Sequence, residues 1–176
     1  MKKRKVFLFG VLAVLLAFGI VLSGCARAQA QQSCTEDHFQ ATPVAGGAGV
    51  RINRYTGRNW EVRIPPRIRG IPVTQIGYNA FRGAGLINVT IPNTVTTIDA
   101  WAFNGNELTS VTIPNSVTTL APNAFTDNPL TSITIGANVN MNWSFDDFDD
   151  SYNSNGRRAG TYTWNGRIWL FNGYAA

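Results

Sequence analysis

Side chains able to act as nucleophiles or metal ligands are scarce in this chain, which narrows the chemistry open to it. His38 is the single histidine, and Cys25 and Cys34 are the only thiols. Structural zinc sites draw on several Cys and His residues at short spacing, and no C-x-x-C pair occurs. The G-x-S-x-G, P-loop, H-E-x-x-H and Rossmann spacings are also missing. Carboxylates cluster once, at Asp146, Asp147, Asp149 and Asp150. A glycosidase needs two carboxylates on opposite sides of a bond, whereas adjacent aspartates are commoner as solvated charge. An EF-hand register starting at Ser151 would put Tyr162 where a bidentate Glu is required. The cluster therefore reads as a solvated helical turn, with a weak calcium site as the other option. The expectation is a non-enzyme with no cofactor and no metal.

Cys25 is the residue most plainly placed for covalent chemistry. Lys2, Lys3, Arg4 and Lys5 precede an uncharged apolar run from Val6 to Val21, and Leu22-Ser23-Gly24-Cys25 follows at once. The run is short of the roughly 20 residues a spanning helix needs, so the segment reads as a cleaved leader. Leu22-Ser23-Gly24-Cys25 resembles the bacterial lipobox. That resemblance implies a signal peptide over 1–24 and a diacylglyceryl thioether, with an added acyl chain, on Cys25. Two or more acyl chains anchor a protein stably where one does not. Cleavage after Ala28-Gln29-Ala30, giving free secretion, is the alternative. Ala26 stands where a retention aspartate would, which points to the outer membrane. Cys34 is then the odd thiol, either free or oxidised or paired between chains, in a Gln- and Ser-rich tether over 25–36.

Charge adds little about partners. The whole chain carries +5, but four of its fifteen basic residues lie in the leader, so the rest is near neutral. Nucleic acid is excluded as a partner on that ground. The signs are nevertheless sorted. Arg51, Arg54, Arg58, Arg63, Arg67, Arg69 and Arg82 come first, then Asp99 to Asp150 without a basic residue, then Arg157, Arg158 and Arg167. Either this is solvated surface charge, or it serves association with a charged partner.

The elements that position these residues repeat. Val89-Thr90-Ile91-Pro92-Asn93-Thr94-Val95 returns as Val111-Thr112-Ile113-Pro114-Asn115-Ser116-Val117, a step of 22 residues. Ile133-Thr134-Ile135-Gly136 begins the next copy, and Ala80-Phe81, Ala102-Phe103 and Ala124-Phe125 keep the same step, as do Leu86, Leu108 and Leu130. A looser copy starts at Val62-Arg63-Ile64-Pro65, with an insertion around Arg67 to Ile71. In Val-Thr-Ile the apolar residues face one way and Thr the other. Proline ends the strand because it lacks an amide donor. Val95 and Ile98 make a second inward run, and Ala-Phe suits one helical turn. A single coil cannot bury its own edge, but stacked coils can.

Leu108-Thr109-Ser110-Val111-Thr112-Ile113-Pro114 and Ile76-Gly77-Tyr78-Asn79-Ala80-Phe81 resemble the BspA-like, or treponemal-type, leucine-rich repeats of bacterial surface proteins. The resemblance covers 62–141. It implies a surface-exposed or secreted protein associated with adhesion and host-protein binding. The fold expected is mainly β with short helical turns: a short leucine-rich-repeat solenoid of about 22-residue coils with parallel strands, capped by a β-hairpin at each end.

The flanks supply those caps. Residues 37–61 alternate weakly around Gly46-Gly47-Ala48-Gly49 and read as a hairpin. In 142–176, Asn165-Gly166 joins Thr161-Tyr162-Thr163-Trp164 to Arg167-Ile168-Trp169-Leu170-Phe171, a strong hairpin signal. Its aromatics read as a cover for the last coil or, alternatively, as a sugar-stacking site. On the exposed strand face, Thr90, Thr112 and Thr134 form one column beside Asn88, Ser110 and Ser132. Threonine favours strands and solubility, which accounts for the column by itself. The functional reading makes these six residues a binding face. The expected function is a lipid-anchored cell-surface module for adhesion or binding of a protein or glycan. A structural component of the envelope without a specific ligand is the alternative.

Overall fold

Two apolar residues separated by a threonine are enough to start each coil. Val89 and Ile91 are buried with Thr90 exposed between them, and Val111 and Ile113 flank Thr112 in the same way. The computed structural model describes residues 36–141 and 148–173. The signal peptide, Cys25, Cys34, Trp143, Phe145, Asp146 and Asp147 lie outside those residues. The chain divides into a unit ending at Asp37 and one running from His38. Of the first, Glu36 and Asp37 are described, and both are exposed. The second contains everything that follows.

A hairpin of β1 (Phe39–Pro43) and β2 (Val50–Tyr55) precedes the coils. The first coil holds β3 (Glu61–Arg63), β4 (Arg67–Ile68) and β5 (Ile71–Ile76). The next coils hold β6 (Asn88–Thr90) with β7 (Thr97–Ile98), β8 (Ser110–Ile113) with β9 (Thr119–Leu120), and β10 (Ser132–Ile135) with β11 (Asn140–Met141). Helix α1 (Phe148–Ser154) and the hairpin of β12 (Gly160–Trp164) and β13 (Trp169–Phe171) follow. The result is a mainly β solenoid of about four turns with parallel strands.

Two walls of strands enclose the core. One runs β1-β2-β5-β7-β9-β11, antiparallel between β1 and β2 and parallel thereafter. The other consists of the pair β3-β6 and the sheet β8-β10-β12-β13. The inserted segment of the first coil is the tight hairpin β4–β5, turned by Arg69 and Gly70 at φ 50° and 77°. Two left-handed residues match the twist of the flanking strands.

Equivalent side chains one coil apart meet. The rings of Tyr55, Phe81, Phe103 and Phe125 stack with centroid separations of 5.3, 4.9 and 4.8 Å and interplanar angles of 22°, 15° and 11°. Asparagines lock the coils beside this spine. The buried Asn106 accepts from the Leu86 N–H at 3.0 Å and donates to the carbonyls of Phe81 and Phe103 at 2.9 and 2.7 Å. Asn128 repeats the pattern one coil later with Leu108, Phe103 and Phe125 at 3.1, 2.9 and 2.8 Å. Each amide thus satisfies backbone groups that the turn would otherwise bury unpaired.

The C-terminal cap works through side chains. Phe148 and Tyr152 of α1 pack against Tyr162 and Trp169, all four buried. The Tyr152 hydroxyl donates to the Gly136 carbonyl at 2.6 Å and accepts from the Val139 N–H at 3.0 Å. Gly136 stands in the proline column, and a Cβ there would lie 3.0 Å from Asn115 Oδ1. Arg157 adds bonds from its guanidinium to the carbonyls of Asn138 and Val139. Burial raises the Tyr152 pKa above its ordinary value of 10.0. Burial, aided by the neighbouring Tyr152, pushes Tyr162 up to about 12.

Candidate binding face

The six residues singled out from the sequence fall into two groups. Asn88 and Thr90 lie opposite Glu61 and Arg63 across β3–β6. Ser110 and Thr112 lie opposite Ser132 and Thr134 across β8–β10. The ladder is interrupted between β6 and β8, so the two groups sit on separate sheets. Asn88, Thr90, Ser110 and Thr112 are exposed, and Ser132 and Thr134 are half-buried. The half-burial has a cause in the C-terminal hairpin. β12 pairs antiparallel with β10, which places Thr163 opposite Ser132 and Thr161 opposite Thr134. The Thr134 and Thr161 hydroxyls bond at 2.9 Å. The hydroxyl rows therefore extend one strand beyond the repeats.

A groove of about 360 Å³ crosses the ends of these strands. Thr112 and Thr134 line it together with Asn93, Asn115, Ser116 and the apolar Ile91, Ile113 and Pro114. None of its lining residues is charged. The Ser116 hydroxyl is already committed to the Val95 carbonyl at 2.7 Å. The groove offers amides and hydroxyls over an apolar floor, which suits recognition by hydrogen bonds and shape. Acid–base chemistry has no group to start from in it. A second cavity of about 420 Å³ opens between Phe125, Leu130, Trp164 and Trp169, past the last ring of the spine. Among the described residues no three His, Cys, Asp or Glu side chains come together as a metal site. Asp149 and Asp150 occupy the first turn of α1, where negative charge is favoured.

Residues 69–149 match the BspA type leucine rich repeat region, in six copies. The repeats of this chain are BspA-type leucine-rich repeats. The BspA-type solenoid is similar to two solved structures. One is the leucine rich repeat protein TpLRR of T. pallidum, at 20% identity and TM-score 0.37, covering 55% of this chain and 68% of that one. The other is a leucine rich cell surface protein of Faecalibacterium prausnitzii A2-165, at 16% identity and TM-score 0.29, covering 80% of this chain and 60% of that one. No curated protein matches the chain.

Sequence reasoning missed a second surface feature of the BspA-type coils. The turn entering each Ala-Phe segment places one residue in the left-handed region: Asn79, Trp101 and Asn123, at φ 57°, 60° and 58°. Asparagine tolerates this conformation, and a bulky side chain does not. Left-handed backbone costs an ordinary residue roughly 1–2 kcal/mol. Trp101 is the exception in its column, and the guanidinium of Arg82 lies 5.5 Å from its ring centroid. The signal was present as the step from Asn79 to Asn123, interrupted by Trp101.

Proposed function

We propose that this chain is a lipid-anchored, surface-exposed binding or adhesion module. Its ligand, a protein or glycan, contacts the strand face around Thr112 and Thr134. The uncharged groove over these two residues carries the reading, because it gathers unreactive hydrogen-bonding groups on rigid strands. BspA-type repeat regions are generally binding or structural elements. The F. prausnitzii relative is described as a cell surface protein. The order of basic residues, apolar run and Leu22-Ser23-Gly24-Cys25 supports acylation of Cys25. No helix of the described residues is long and apolar enough to cross a membrane.

The bond between the Thr134 and Thr161 hydroxyls favours a second reading. Part of the row serves its own sheet, as it would in an envelope component without a specific ligand. Three experiments test the proposal. Protease shaving of intact cells releases the repeat region if it is surface-exposed, and Cys25→Ala moves the protein out of the membrane fraction if that thiol is acylated. Saturable binding to a host-protein or glycan panel that Thr112→Arg abolishes, with the melting temperature unchanged, supports the module. Binding untouched by Thr112→Arg contradicts the assigned face.

A further inference from the structure

A different surface carries a more specific reading. On the edge where the β2-β5-β7 wall gives way to the Ala-Phe turns, basic and aromatic residues accumulate over three successive layers. β2 runs beside β5 with Ile52 opposite Ile76. The Tyr55 N–H then reaches the Ala80 carbonyl at 2.7 Å, so Arg54 lies alongside the segment from Gly77 to Asn79. Arg54, Tyr78 and Arg82 are exposed, Tyr78 by 62%. Trp101 follows one coil later, beneath Arg82. Arg51 and Asp99 lie 3.8 Å apart on the same edge, so its carboxylate is engaged. Neither Arg54 nor Arg82 has a carboxylate partner among the described residues.

Trp101 gives this cluster its meaning. The equivalent positions one coil before and after hold Asn79 and Asn123, which suit the left-handed backbone. Trp101 takes that conformation against its steric preference, and its indole is not part of the buried spine. Strain retained at a partly exposed aromatic points to a function that needs the ring. Exposed guanidinium groups beside aromatic rings suit a ligand that carries negative charge and offers flat faces. An aromatic face takes the C–H face of a sugar ring, and guanidinium groups take carboxylate or sulfate.

We propose that Arg54, Tyr78, Arg82 and Trp101 form a binding ridge for an anionic polysaccharide, separate from the strand face. Sugar rings rest on Trp101 and Tyr78, and their acidic groups pair with Arg54 and Arg82. An acidic peptide would supply the charge but not the flat sugar faces that the aromatic rings take.

The test uses the folded chain from His38 onward, joined to its native N-terminal segment, with four probes: polygalacturonate, dextran sulfate, neutral dextran and poly-L-glutamate. Polygalacturonate or dextran sulfate binds, and which of the two binds better identifies carboxylate or sulfate as the group recognised. Affinity falls as salt is raised. Trp101→Asn, which restores the residue type of the neighbouring coils, weakens binding by at least about tenfold. It also raises the melting temperature by about 2–4 °C. Arg82→Gln, at an exposed position, weakens binding and reduces its salt dependence with no change in melting temperature. Retained affinity in Trp101→Asn overturns the proposal, as does poly-L-glutamate binding as tightly as the polysaccharides. Thr112→Arg leaves this binding intact, so failure of the strand-face reading is seen separately.

Discussion

The two ends of the solenoid are closed by different physics. At the N-terminal end the cap continues the repeat. β2 joins β5 in parallel, and Tyr55 lays its ring on Phe81 as though it were one more coil. Phe39 packs against both rings, at 5.5 and 6.1 Å. At the C-terminal end the cap replaces the repeat. β12 runs antiparallel to β10, and the Tyr152 hydroxyl is inserted between the Val139 N–H and the Gly136 carbonyl, where the preceding coils close Val95 on Pro92 and Val117 on Pro114 directly. α1 covers the outer strand as well, with the Ser151 hydroxyl donating to the Trp169 carbonyl at 3.1 Å. A solenoid exposes both an apolar cross-section and unpaired strand edges. One end answers mainly the first problem, and the other answers the second with hydrogen-bonding side chains. Among the described residues β3 has only β6 as a partner, and its exposed Glu61 and Arg63 set charge on that edge, a recognised guard against pairing with another chain.

The contrast can be broken by substitutions at its two tyrosines. Tyr55→Ala removes a ring from the spine and is expected to destabilise by about 3 kcal/mol, read as a shift in the denaturant midpoint. A cost below about 1 kcal/mol would mean that the N-terminal hairpin does not seal the core. Tyr152→Phe keeps the ring but strands the Gly136 carbonyl and the Val139 N–H, for about 1–2 kcal/mol. Amide exchange near Val139 should accelerate in this variant while exchange near Tyr55 stays unchanged.

Alkaline titration sharpens the same difference. Tyr152 and Tyr162 have folded pKa values raised by burial, Tyr162 to about 12. The folded state therefore holds these protons more tightly than the unfolded chain does. Their contribution to stability is whole below pH 10.0 and is lost as pH rises toward the folded values. Stability should fall across that window, and tyrosinate absorbance from the C-terminal cap should appear late and together with its unfolding. Early, independent ionisation of both tyrosines would show that the cap is open. The smallest effect belongs to Tyr55→Phe. The lost hydroxyl accepts only from the Asn59 N–H at 3.2 Å, and Asn59 is exposed. A cost of about 0.5 kcal/mol is expected, and a cost equal to that of Tyr152→Phe would erase the distinction between the ends.

What could be read from the sequence was what recurs. The 22-residue step fixed Phe81, Phe103 and Phe125 as one column, and the Val-Thr-Ile alternation fixed which side chains face inward. Both follow from local periodicity, and the stacked rings bear them out. Asn106 and Asn128 were passed over because the preceding coil has Ala84 at that position, so the column looked irregular. Their role depends on carbonyls of a neighbouring coil, which no local pattern reveals. The attachment of β12 to β10 was equally hidden. Asn165-Gly166 announces a hairpin, but nothing in it says which strand the hairpin will join. The strand-face residues were legible as a column of like types, and the interruption between β6 and β8 was not.

The central claim is that each coil is held by its immediate neighbours through equivalent side chains, and coupling energies test it most directly. Double-mutant cycles with Phe→Leu at 81 and 103, and separately at 81 and 125, measure this by equilibrium unfolding. The stacked pair Phe81 and Phe103 should couple by about 0.5–1.5 kcal/mol. Phe81 and Phe125, two coils apart, should be additive within about 0.3–0.5 kcal/mol. Equal coupling in both pairs, or none in the stacked pair, would contradict the account.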